Sequence, residues 1–119
     1  MKILVVHKEE SVLAHLKLIL RNCEQVIRFY NSGLDGLMAA RMEEFNLIIC
    51  GTELPIITGY ELIRSLRINS INASTTVIFI SDEIDTKVKY LGAALGVAGM
   101  LSYDNVSTEL ESMVALVHH

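Results

Sequence analysis

The sequence predicts an α/β fold: a doubly wound, five-stranded parallel sheet in the strand order 2-1-3-4-5, with five helices. Short apolar runs alternate five times with segments of helical spacing. Three of the runs are apolar throughout, which is typical of parallel strands covered on both faces. Strand–helix alternation requires right-handed crossovers within one sheet, and five such units in 119 residues suit this strand order.

The five predicted strands are short. They cover residues 2–6, 25–30, 46–50, 76–80 and 97–101. The runs 3–6, 47–50 and 77–80 contain only apolar residues, so we expect them to be the central strands.

The segments between and after the strands are predicted to be amphipathic helices, each with an apolar stripe toward the core. The stripes are, in chain order, Val12, Leu13, Leu16, Ile19 and Leu20; Leu34, Leu37, Met38 and Met42; Leu62, Ile63 and Leu66; Ile84, Val88, Leu91 and Leu95; and Leu110, Met113, Val114 and Val117. Asn31 or Ser32 is expected to cap the second helix. The fifth is expected to begin at Ser107 or Thr108, since Thr108 and Glu111 have capping-box spacing.

Composition predicts one compact domain spanning residues 1–119, with any further domain of a longer protein outside this sequence. Apolar residues make up 51% and charged residues 20%, enough to form a core. The net charge of −4, without a basic run, argues against nucleic-acid binding. No apolar run approaches a membrane span and no signal peptide precedes the first strand, so we expect a cytoplasmic domain.

Cysteine and terminal histidine residues give no functional signal. Cys23 and Cys50 lack metal or redox spacing and are expected to be reduced thiols. His118 and His119 are interpreted as a possible tag remnant.

Five stretches, in order and spacing, resemble the receiver domain of bacterial two-component response regulators. They are residues 3–6 followed by polar residues, 31–37, 47–59 with Leu54-Pro55 and Gly59, 77–81, and 96–98. The resemblance covers essentially the whole chain. It implies a flavodoxin-like fold and a part in two-component (phosphorelay) signal transduction.

Position by position, the resemblance implies that the phosphorylation pocket is degenerate. The family's acidic pair falls on His7 and Lys8, its phosphoacceptor aspartate on Gly51, its hydroxyl residue on Ser81, and its lysine on Tyr103. Only Ser81 keeps the family's residue type. The family's proline falls on Asp104, and the aromatic residue that couples to the family's hydroxyl residue falls on Met100.

These substitutions remove each chemical part that phosphoryl transfer uses. The reaction needs a nucleophile, a divalent cation held by carboxylates, and a cation for the developing charge. Gly51 has no side chain to accept a phosphoryl group, and Lys8 would repel a metal. We therefore expect no catalytic residue, cofactor or metal, and no enzyme activity.

Several alternatives stay open for this pocket. Glu9 and Glu53 could hold a metal, but we expect them to be solvated or salt-bridged. Lys8 could pair with either carboxylate and hold the pocket closed, or face outward.

Two functional alternatives use the same pocket. Thr52, Ser81 or Tyr103 could take phosphate with His7 as base, although no third group orients that base. Helix N-termini with Lys8 could instead bind a small anion, making a ligand-gated pseudo-receiver, although no glycine-rich loop follows the first strand.

A contact face is predicted on the fourth helix and fifth strand, where active receivers commonly bind partners or dimerise. Its residues are Lys87, Tyr90, Leu91, Met100 and Tyr103. We therefore predict an atypical receiver (a pseudo-receiver) that acts through a protein partner, an attached output domain or a homodimer. We expect it to work without aspartyl phosphorylation and without nucleic-acid or membrane binding.

Overall fold

The computed structural model describes residues 1–117, so the predicted tag remnant at His118 and His119 lies outside the described residues. Strands and helices alternate along the chain. Their bounds are β1 (Lys2–Val6), α1 (Glu10–Ile19), β2 (Val26–Tyr30), α2 (Gly33–Met42), β3 (Leu47–Gly51), α3 (Gly59–Arg67), β4 (Thr76–Ser81), α4 (Thr86–Ala94), β5 (Gly99–Ser102) and α5 (Val106–Val117).

The sheet confirms the predicted fold class. All four strand pairings are parallel and the order is β2-β1-β3-β4-β5. β1, β3 and β4, the strands predicted to be central, occupy the interior of the sheet. Within residues 1–117, no helix combines the length and apolar character needed to cross a membrane.

Two hydrophobic cores lie on opposite faces of the sheet, because successive strand residues point to opposite sides. Ile3, Val5 and Ile49 face the core that includes residues of α1 and α5. Leu4 and Ile48 face the core that includes residues of α2 and α3.

The predicted apolar stripe of α2 is wrong except at Leu37, which is half-buried and packs against the core shared with α3. Leu34, Met38 and Met42 are exposed, Met42 by 83%, and the buried residues of this helix are Gly33, Gly36 and Ala40. A Cβ on Gly36 would lie 2.6 Å from a Val6 methyl group, so the small residues let α2 approach β1 closely. Ser32 caps the helix as predicted, its side chain accepting a hydrogen bond from the Asp35 N–H.

The predicted start of the fifth helix is also wrong. α5 begins at Val106, and Thr108 lies inside it with its hydroxyl donating to the Asn105 carbonyl. Because Thr108 is already within the helix, the predicted capping box with Glu111 is not at the N-cap. The buried residues Leu110 and Val114 lie toward the sheet as predicted.

Strand boundaries differ from prediction by one or two residues. β3 extends to Gly51 and β4 to Ser81, whereas β5 begins only at Gly99. Gly96 has a φ of +67° and, with Val97, closes α4. The N–H groups of Gly96 and Val97 donate to the carbonyls of Ala93 and Gly92, the pattern of a Schellman motif, so Val97 belongs to the helix end and not to the strand.

Candidate functional site

His7 lies at the carboxyl end of β1 and points into the protein. Its side chain is 2% exposed, and its backbone N–H donates to the Tyr30 carbonyl at 3.1 Å, which continues the pairing of β1 with β2. The imidazole Nε2 lies 2.5 Å from the Tyr103 hydroxyl, and the two rings meet edge to face. The two positions predicted to be degenerate, at the end of β1 and just after β5, are therefore joined in one partly buried contact.

The hydrogen bonds fix the tautomer of His7. Its Nδ1 accepts from the backbone N–H of Glu9 at 3.1 Å, so this nitrogen carries no proton. A neutral imidazole then bears its proton on Nε2 and donates it to the Tyr103 oxygen. Burial is the main cause that lowers the pKa of His7 below its ordinary value, and burial likewise raises the pKa of Tyr103.

Gly51 closes β3 directly beneath the His7 ring. A Cβ added at position 51 would lie 2.9 Å from Cδ2 of His7, closer than such atoms approach in proteins. The imidazole thus occupies the volume that a side chain at position 51 would enter.

Little space remains in this pocket. The void bordered by His7, Gly51 and Tyr103 has a volume of about 10 Å³. One water molecule needs roughly 10–15 Å³. A hydrated magnesium ion and a phosphoryl group are far larger than one water molecule.

Lys8 forms a salt bridge with Glu53 across the mouth of the pocket. The Nζ–Oε2 distance is 2.9 Å, and both side chains are solvent-accessible. Of the two partners proposed from the sequence, Glu53 is the one found. The hydrogen bond from Lys8 to Glu53 raises the pKa of the ammonium group, so Lys8 keeps its charge but that charge is locally neutralised.

The hydroxyl groups near the strand ends bond to each other. The buried Thr52 donates through Oγ1 to Oγ of Ser81 at 2.9 Å. Thr52 and Ser81 line the same pocket as Lys8 and Glu53, and neither bonds to the His7 ring. Of the three candidate nucleophiles, Tyr103 is the one that bonds to His7. Because Nδ1 of His7 accepts from the Glu9 N–H, Nε2 carries the proton and donates it to the Tyr103 hydroxyl, so the ring is not placed to act as the base for that hydroxyl.

The carboxylates do not form a metal site among the described residues. Within residues 1–117, no group of three or more His, Cys, Asp or Glu side chains is placed to hold a cation. Glu53 bonds to Lys8, and Glu9 contributes its backbone N–H to His7. Cys50 is buried and Cys23 half-buried, and both are free thiols, as predicted.

An open groove of about 540 Å³ adjoins the pocket between the β3–α3 and β4–α4 loops. Sequence reasoning did not single out its residues Tyr60, Asp82 and Asp85. The ammonium of Lys87 lies 5.8 Å from the centre of the Tyr60 ring at this groove. Asp82 directly follows the strand-end residue Ser81, and that position was the signal available in the sequence.

The residues of the predicted contact face do not share one environment. Tyr90 is 73% exposed and Lys87 is exposed, whereas Leu91 is half-buried. Met100 packs against Gly92 of α4. Tyr103, although predicted to belong to this face, directs its hydroxyl to His7 in the pocket.

Comparison with known proteins identifies relatives over nearly the whole chain. Residues 3–115 match the family described as "Response regulator receiver domain". The chain is 25% identical over 118 residues to the cell cycle transcriptional regulator CtrA of Caulobacter vibrioides, covering 99% of this chain and 49% of CtrA. The chain thus spans about half the length of such curated relatives.

Solved structures share the fold. The chemotaxis protein CheY4 of Vibrio cholerae superposes with a TM-score of 0.86 at 23% identity, covering 98% of this chain and 97% of CheY4. The receiver domain of the sensor histidine kinase PA1611 of Pseudomonas aeruginosa gives a TM-score of 0.86 at 16% identity, covering 99% and 98% of the two chains. That PA1611 structure has a magnesium ion coordinated in its active-site cleft.

Proposed function

Because the chain belongs to the response regulator receiver-domain family, we propose that it is an atypical receiver of two-component signalling that acts by protein–protein contact without aspartyl phosphorylation. The single observation that carries this proposal is the His7 ring over Gly51. The position that would supply a nucleophile has no side chain, and the space above it is filled. We propose accordingly that the domain has no catalytic activity of its own.

Three further observations support the proposal. The void of about 10 Å³ has no room for a magnesium ion with its water ligands. The carboxylate of Glu53, which could otherwise hold a metal at the pocket mouth, is engaged by the ammonium of Lys8. Tyr103 offers a hydroxyl bonded to His7, not a mobile cation for a developing phosphoryl charge.

The test is incubation with acetyl phosphate and Mg²⁺ followed by intact mass measurement. We expect no added phosphoryl mass on the natural chain. A variant carrying His7→Asp, Lys8→Asp, Gly51→Asp and Tyr103→Lys restores the family's residue types and serves as the positive control. The same variant with Gly51 retained is the matched negative control. A phosphoryl group on the natural chain, on any residue, would refute the proposal.

The rival in which a small anion binds at the strand ends has less support. The Lys8 charge is already paired with Glu53. The groove beside the pocket is lined by Glu53, Asp82, Glu83 and Asp85 against Lys87, so its net charge disfavours anions. Thermal shifts with phosphate, sulfate and nucleotides test this rival, and we expect none that saturates.

We propose the exposed part of α4, centred on Tyr90, as the contact surface for a partner, an attached output domain or a second copy. Large exposed aromatic side chains are favoured in interfaces. Tyr90→Glu should shift a dimer toward monomer in light-scattering measurements over a range of concentrations. Ile68→Glu is the matched control, because Ile68 is 67% exposed and lies at the C-cap of α3, outside α4. A natural chain that stays monomeric throughout would exclude the homodimer.

A further inference from the structure

We propose that His7 is a pH-sensitive latch: its neutral imidazole holds the β1–α1 loop to the β5–α5 segment, and protonation releases them. The inference rests on the proposed function and deepens it. In a receiver whose pocket takes no phosphoryl group, a change of pH would take the place of phosphorylation as the signal that changes the conformation. The latch consists of His7, the backbone N–H of Glu9 and the hydroxyl of Tyr103.

The geometry allows only one site for an added proton. Nε2 already carries the proton that it shares with Tyr103, so a second proton must bind Nδ1. Nδ1 lies 3.1 Å from the Glu9 nitrogen and accepts its hydrogen. After protonation two N–H donors face each other at this distance. The hydrogen bond then becomes a repulsive contact, and the loop or the ring has to move.

The closed pocket cannot hydrate an imidazolium. His7 is 2% exposed, and the adjoining void of about 10 Å³ holds at most about one water molecule. Gly51 forms the floor beneath the ring. A charged ring therefore gains hydration only by leaving the pocket, which also frees the Tyr103 hydroxyl.

Charged and titratable groups reach His7 from four loops. Lys8 and Glu9 come from the β1–α1 loop, Glu53 from the β3–α3 loop, Asp82 from the β4–α4 loop, and Tyr103 from the β5–α5 segment. Glu9 and Asp82 favour the charged ring, whereas Lys8 opposes it. Burial outweighs the attraction of the two carboxylates, so the pKa of His7 in the closed state lies below that of a free histidine.

The two linked segments lead into the same layer of the protein. The β1–α1 loop leads directly into α1 at Glu10, and Tyr103 precedes α5. Both helices pack on the same core. Release of the latch therefore alters the start of both helices on one face. One proton changes the ratio of open to closed molecules by at most about tenfold per pH unit in the histidine range.

The test is nitrogen and proton NMR of the natural chain between about pH 8 and about pH 5.5, the range in which histidine titrates. At the upper end we expect the His7 ring to show the Nε2–H tautomer, and the Nδ1–H tautomer would overturn the proposal. On acidification the Glu9 amide and the Tyr103 ring signals should shift with the His7 midpoint. Titration of His7 without those two shifts would also overturn it.

Two variants separate the latch from general acid effects. Tyr103→Phe keeps the ring but removes the hydroxyl, so it should weaken the closed state and raise the midpoint. His15→Gln removes an exposed histidine of α1, hydrogen-bonded to Ser107, and should leave the midpoint unchanged. The latch is contradicted if His15→Gln shifts the His7 midpoint and Tyr103→Phe leaves it unchanged. The phosphodonor experiment is independent of these results, so failure of the latch and failure of the proposed function are distinguishable.

Discussion

The contact between position 51 and His7 can be tested by the smallest side chain. Gly51→Ala adds a Cβ that would lie 2.9 Å from Cδ2 of His7, while the ring is held at both nitrogens. Gly51 has no positive φ, so alanine adds no backbone strain. The cost is therefore the steric contact alone.

The expected magnitude follows from two opposing effects. Overpacking a well-filled site costs about 1–3 kcal/mol of unfolding free energy. Replacing glycine by alanine restricts the unfolded chain and recovers about 0.4–1 kcal/mol. We expect a net loss of about 1–2 kcal/mol. At about 2.1 cal/mol/K per residue for the unfolding entropy, this lowers Tm by about 4–8 °C.

A double-mutant cycle isolates the steric contribution. Urea unfolding is measured for Gly51→Ala, His7→Ala and the double variant. In the His7→Ala background the added methyl group has room, so we expect Gly51→Ala to be neutral or slightly stabilising there. An equal loss in both backgrounds would show that the imidazole does not occupy the space above Gly51, and the reasoning for the filled pocket would fail.

Further predictions concern the scaffold and its pH dependence. Asn72→Ala should lower the unfolding free energy, measured in urea, by about 2–4 kcal/mol. The buried Asn72 amide bonds to the backbone at three residues, which are Ala40, Glu43 and Phe45. An unchanged unfolding free energy would contradict this role. In α2, Met42→Glu should change the unfolding free energy by less than about 0.5 kcal/mol, because Met42 is exposed. A loss as large as that of a buried methionine would show that Met42 packs in the core, as the apolar stripe predicts. The pKa of His7 is lower in the folded state than in the unfolded chain, where it is near 6.5, so the unfolded chain binds the proton more readily. The neutral imidazole therefore stabilises the fold above about pH 6.5, and this stabilisation is lost as pH falls through the pKa of folded His7. Unfolding at stepped pH should show this loss in the natural chain and not in His7→Asn.

The layered fold could be predicted because its signals are local. The runs 3–6, 47–50 and 77–80 are apolar throughout, and the structure buries each of them. Strand–helix alternation with right-handed crossovers predicts a parallel sheet, and five such units in 119 residues suit the order that is found. These features need no knowledge of particular side-chain contacts.

The second helix was mispredicted because hydrophobicity is not the only reason for burial. Its larger apolar residues recur at helical spacing, and that pattern indicates a buried stripe. The buried face instead uses Gly33, Gly36 and Ala40. Gly36 lies against Val6 of β1, and Gly33 lies against Ile57 of the β3–α3 loop. A pattern of apolar residues cannot show which face of a helix needs small side chains. In α2 that face is set by Val6 of β1, which packs against Gly36 in the folded chain.

The sequence could place the residues of the pocket at the strand ends, but it could not predict the contacts between them. The sequence places His7, Gly51 and Tyr103 at the ends of β1, at the end of β3 and after β5, and the fold brings strand ends together. Nothing in the spacing indicates that the imidazole turns inward over the glycine. The inward rotamer depends on the Glu9 N–H and the Tyr103 hydroxyl, two groups that become neighbours only in the folded chain.

His7, Gly51 and Tyr103 are mutually dependent, and this limits how the pocket could be changed. A carboxylate introduced by Gly51→Asp alone would meet the imidazole, so its side chain must displace the ring or distort β3. Removing His7 first leaves the Tyr103 hydroxyl and the Glu9 N–H without their present partner. A single substitution therefore reduces stability before it supplies a nucleophile. Because a change at one of these positions disturbs the contacts of the other two, the positive control changes all three together with Lys8.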